Sequence, residues 1–117
     1  MFDWHQYLDI ANDLVEHPSA VVEAGARTAV SRAYYAAFHH SRVTLERELA
    51  EQFGSSNVHG KVIRGLRERS GGARLARELV RLLQKRVHAD YDDEPAVSLK
   101  EAALVVEMAR RFLREFR

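Results

Sequence analysis

The segment from Ala26 to Phe53 constrains this chain most, and within it the run Ser31-Arg32-Ala33-Tyr34-Tyr35-Ala36-Ala37-Phe38-His39. At about 100° per residue, Ala26, Ala29, Ala33 and Ala37 fall on one side of a helix, and Tyr34, Phe38, Leu45 and Leu49 on another. A helix that is apolar around most of its circumference needs neighbours on several sides, and the alanine side lets one of them approach closely. The segment predicts the central helix of a bundle.

The remaining segments supply the neighbours. Trp4, Tyr7, Leu8, Ala11, Leu14 and Val15 recur at helical spacing behind an Asp3/Gln6 capping box, which predicts a helix over 4–16 closed by His17-Pro18. The central helix is predicted over 20–52, with Ser19 as its N-cap and Gly54 as a left-handed C-cap, and with its second half, from Arg42, more exposed. A short helix over 58–69 carries Val58, Val62, Ile63 and Leu66, with Gly65 as its weak point. A fourth runs over 73–91, and Ser98 with Glu101 opens a fifth whose inward stripe is Leu99, Ala102, Val106, Ala109, Leu113 and Phe116. No strand-like alternation or internal repeat interrupts this pattern. The expected fold is all-α, a single domain over residues 1–117, an antiparallel four-helix bundle with an additional short helix.

The fourth helix is the most informative. Leu75, Ala76, Leu79, Val80, Leu82, Leu83, Val87 and Tyr91 fill one broad arc, and Arg74, Arg77, Arg81, Lys85 and His88 share the other. Arg86 and Asp90, four residues apart, lie inside the apolar arc. Charges are tolerated there when they are paired or used, so the two are either a structural salt bridge or part of a site.

A net charge of +1 conceals an uneven distribution. Residues 1–26 hold Asp3, Asp9, Asp13, Glu16 and Glu23 with no Lys or Arg, whereas Lys61 to Arg86 is strongly basic. The pattern suggests a polyanion patch centred on Arg74, Arg77, Arg81 and Lys85, association of acidic and basic ends between copies, or solvated helix faces. Cysteine is absent, which excludes disulfides, thiolate metal sites and cysteine nucleophiles. There is no glycine-rich phosphate loop, nucleophile elbow or His-Glu-x-x-His pair, and no two histidines stand four apart on one helix, so neither a cofactor nor a metal is expected. With no signal-peptide pattern and no membrane-length apolar run, the expected location is the cytoplasm.

Three stretches, Ser31 to His39, Val58-His59-Gly60-Lys61-Val62-Ile63 and Arg86-Val87-His88-Ala89-Asp90-Tyr91, resemble in order and spacing the small stand-alone HEPN domain family of bacteria and archaea. The resemblance implies a helical homodimer, often paired with a minimal nucleotidyltransferase in a toxin-antitoxin-like system, that binds RNA or nucleotide. Active members are metal-independent ribonucleases, in which an arginine and a histidine four to six residues apart meet their copies across a dimer cleft. Such cleavage needs a group titrating near neutrality and a cation for charge developing on phosphorus. Arg86 matches the family arginine, but the position five residues later is Tyr91, a phenol and a poor proton acceptor at neutral pH. Arg86, Asp90 and Tyr91 are the candidate site on this reading. Arg81 and His88 offer a second arginine-histidine pair on one face, and Arg32 and His39 repeat that spacing on the central helix. Arg32, Tyr34, Tyr35, His39 and His59 read as core or interface residues. The rival function is a non-catalytic partner or substrate-recruiting subunit of the nucleotidyltransferase.

Overall fold

A computed structural model describes all residues, Met1–Arg117. The chain is all-helical, with five helices in the order α1 Gln6–Glu16, α2 Val22–Leu49, α3 Val58–Glu68, α4 Ala73–Tyr91 and α5 Leu99–Glu115. At 1.5 Å per residue, the 28 residues of α2 extend about 42 Å, close to the 44 Å long axis of the molecule. All four other helices pack on α2; α3 also packs on α4, and α5 lies against α1 and α4. Ala26, Ala29, Ala33, Ala36 and Ala37 are fully buried in these contacts. No helix is long and apolar enough to cross a membrane.

The helix ends depart from expectation where side chains found other partners. Asp3 Oδ1 accepts from the His5 N–H at 3.0 Å and forms no capping box with Gln6; the tight turn it makes delays α1 to Gln6. Ser19 Oγ donates to the Val21 carbonyl, so α2 starts at Val22 without a side-chain cap. The other end of α2 stops at Leu49, with Ala50 rather than Gly54 in the left-handed conformation (φ 51°). Burial of Phe53 explains the early stop: its N–H is tied to Glu46 Oε2 at 2.9 Å, which turns the chain back on the helix and leaves Leu49 exposed. Glu46 also pairs with Arg42 at 2.8 Å with both side chains largely covered, but Arg47, Glu48 and Leu49 are exposed, so α2 from Arg42 onward is the more exposed half, as expected.

Gly65 is a close approach rather than a weak point, since a Cβ there would lie 2.9 Å from Leu45 Cδ1 on α2. α4 has the expected limits, and Leu75, Ala76, Leu79, Leu82, Arg86 and Ala89 are buried. Val87 and Tyr91, expected inside, are exposed. Measured round the helix from the buried Arg86, Val87 lies about 100° and Tyr91 about 140° away, which turns both toward solvent; Asp90, also expected inside, has its side chain 30 % exposed. Ser98 caps α5, its Oγ accepting from the Glu101 N–H at 3.0 Å, and Val105 and Phe112 widen the expected stripe.

Candidate functional site

α2, α3 and α4 meet at Arg86. Its side chain is only 10 % exposed, yet its one hydrogen bond is a long one, Nη1 donating to Asp90 Oδ2 at 3.4 Å. Its Nε is buried and has no partner. Asp90 Oδ2 also accepts from Ser31 Oγ at 3.1 Å, and Arg32 Nη2 donates to that hydroxyl at 3.4 Å. A polar strand thus runs across the α2–α4 seam from Arg32 to Arg86.

Aromatic rings complete the surroundings. The guanidinium carbon of Arg86 lies 5.6, 5.4 and 5.8 Å from the ring centres of Tyr34, Tyr35 and Tyr91, within the range of cation–π attraction. Tyr34 is fully buried, and its hydroxyl is 2.6 Å from His59 Nδ1. His59 in turn stacks on Phe38 at 4.5 Å. Burial raises the Tyr34 phenol well above its ordinary range, only partly opposed by Arg86. Burial, reinforced by the Arg86 charge, lowers His59. His39 lies farther along α2, stacked on Trp4 at 3.7 Å; burial, with Arg42 next in weight, depresses it to about 4. Both imidazoles are therefore neutral at pH 7.

The structure brings together Arg86, Asp90, Tyr91, Tyr34, Tyr35 and His59, with Arg32 at the edge. It leaves the Arg81/His88 pair apart: Arg81 is exposed beside Glu78 at 3.7 Å, while His88 turns to Asp92, with Nδ1 3.3 Å from Oδ2. His88 is partly buried and its Nε2 has no partner, so it does not belong to the solvent-facing arc expected for it. That arc is also less basic than the sequence suggests, because Arg74 pairs with Glu115 and Lys85 with Glu101, leaving Arg77 exposed among them. No group of three or more His, Asp or Glu side chains could hold a metal ion.

Two residues escaped the sequence reading. Ser31 holds Asp90 in place, and Arg27 on α2 binds the end of α4. Arg27 Nη1 donates to the carbonyls of His88, Ala89 and Asp92 at 3.3, 2.9 and 2.7 Å, and Nη2 to that of Asp93 at 3.2 Å. Glu23 assists, accepting from the Val97 N–H at 3.1 Å and pairing with Arg27 at 3.0 Å.

Compared with family models, with curated proteins and with solved structures, the chain finds no match. The chemistry of the site therefore rests on its geometry. A buried guanidinium with unused donors, steadied by aromatic faces and one carboxylate, is suited to receiving a phosphate oxygen.

Proposed function

We propose that this chain is a HEPN-like domain, a four-helix bundle with α3 as the additional short helix, that binds RNA or nucleotide at Arg86. On this reading it acts as a homodimer paired with a minimal nucleotidyltransferase in a toxin-antitoxin-like system. The supporting observation is the convergence at Arg86 of the three stretches that carry the family resemblance, through Ser31 and Tyr34, His59, and Asp90. Binding is favoured over cleavage, because α4 presents no histidine beside Arg86: Tyr91 stands five residues on, and His88 faces Asp92.

Binding of labelled RNA and of ATP across a salt series tests the reading. Affinity should fall with salt, as phosphate contacts require, and Arg86→Ala should weaken it at least about tenfold. Wild-type protein that binds neither at any salt concentration ends the proposal. A second reading, a non-catalytic recruiting subunit, draws on the Arg86–Asp90 ion pair itself. In that case Arg86→Met with Asp90→Leu retains both fold and partner binding, and loss of partner binding from a folded variant counts against it.

A further inference from the structure

Away from the α2–α4 seam, the start of α1, His40 of α2 and the end of α5 border an open, shallow cleft of about 300 Å³. Leu8, Leu113 and Phe116 form its apolar floor. Its polar wall is His5, His40, Arg110, Arg114 and Arg117, and no acidic side chain lines it. Arg110 is fixed, Nη1 donating to Glu107 at 2.6 Å and Nη2 to Asn12 at 3.0 Å. Arg114 makes only a 3.6 Å contact with Glu107, which leaves most of its donors free, and Arg117 is exposed.

The two histidines form a chain whose tautomers are dictated by its end. His40 Nε2 lies 2.6 Å from the Phe116 carbonyl oxygen. A carbonyl only accepts, so that nitrogen carries the proton, and neutral His40 offers Nδ1 as an acceptor. His5 Nε2, 3.3 Å from it, must then donate. His5 Nδ1 is left bare, and it is the one ring nitrogen of the four that can gain a proton without breaking the chain. The titratable and charged groups around it are Asp3 on its own segment, neutral His39 and His40 and the cationic Arg47 from α2, and the three arginines at the end of α5, two of them in contact with Glu107. Cations crowded around a concave surface repel one another until an anion enters.

We propose that this cleft binds a phosphate monoester carried on a flat apolar body. Arg114 and Arg117 take the phosphate, whose dianion matches two guanidinium groups. His5 adds a hydrogen bond once protonated at Nδ1, and Leu8, Leu113 and Phe116 cover the body.

Titrations of AMP and of inorganic phosphate test this, followed by calorimetry and by the imidazole NMR signals of His5 and His40, which report on this cleft and not on Arg86. AMP should bind about tenfold more tightly than inorganic phosphate, because its ring covers the apolar floor. The His5 signals should move, with their titration midpoint raised by AMP. Arg114→Gln with Arg117→Gln should weaken AMP at least about tenfold. His5→Ala should remove the gain in AMP affinity on the acid side and serves should the double variant misfold. AMP binding that leaves His5 unmoved, survives the double change, or is no tighter than that of phosphate overturns the proposal, as does binding of neither probe.

Discussion

Two guanidinium groups cross the contact between α2 and α4. Arg27 reaches from α2 to four carbonyl oxygens at and just beyond the end of α4, with a side chain 20 % exposed. Arg86 reaches from α4 toward α2, is only 10 % exposed, and has a single 3.4 Å bond with its Nε unpartnered. The better-buried group is the worse satisfied. Burying a donor without a partner costs free energy, so the fold gains from Arg27 what it does not gain from Arg86. Arg27 completes the fold by binding carbonyls at and just beyond the helix end, whereas Arg86 retains a donor that nothing in the chain uses.

The sharpest way to break this contrast is Arg27→Ala. It strands the α4 terminal carbonyls and releases the loop to α5, with an expected loss of about 3 kcal/mol, read as a lower urea midpoint by circular dichroism. An unchanged midpoint makes the two arginines alike. Next comes Arg86→Met with Asp90→Leu, for which RNA affinity should fall more than about tenfold while stability stays within about 1 kcal/mol of wild type. A destabilisation matching that of Arg27→Ala turns Arg86 into a second structural clamp.

Acid sharpens the contrast further, because the aromatic cluster on the Arg86 side includes His39. Its folded-state pKa of about 4 lies below the ordinary 6.5, so the unfolded chain takes up the proton first. Stability is unaffected by this group above about pH 6.5 and falls as the pH drops toward 4, where the loss amounts to about 1 kcal/mol after allowance for solvent screening. His59 and His40 are also lowered and add in the same direction. Urea midpoints across this pH window should fall on acidification, and His39→Phe should flatten the slope; an unaltered slope removes His39 from the account. The smallest effect is expected at the exposed Arg81–Glu78 pair. There Arg81→Ala should change stability by less than about 0.5 kcal/mol. A larger change would mean that the exposed arc of α4 also contributes to the fold.

The helices were legible where periodicity alone set them. α4 and the start of α5 fall where apolar spacing and the Ser98 cap place them, and the burial of Arg86 follows from its position in an apolar arc. The start of α1 and the end of α2 were not legible, because Asp3 and Glu46 bind backbone N–H groups that carry no residue signature. The same reason hid Arg27, whose partners are carbonyl oxygens 61 to 66 residues away.

By itself the sequence determined an all-helical chain built around α2 and placed a charged pair where α4 should be apolar, because both follow from local spacing on a helix. Only the tertiary structure decided which arginine is satisfied and which is left with free donors. That outcome depends on how α2, α3 and α4 are rotated against one another, and rotation is set by packing between segments distant in the chain.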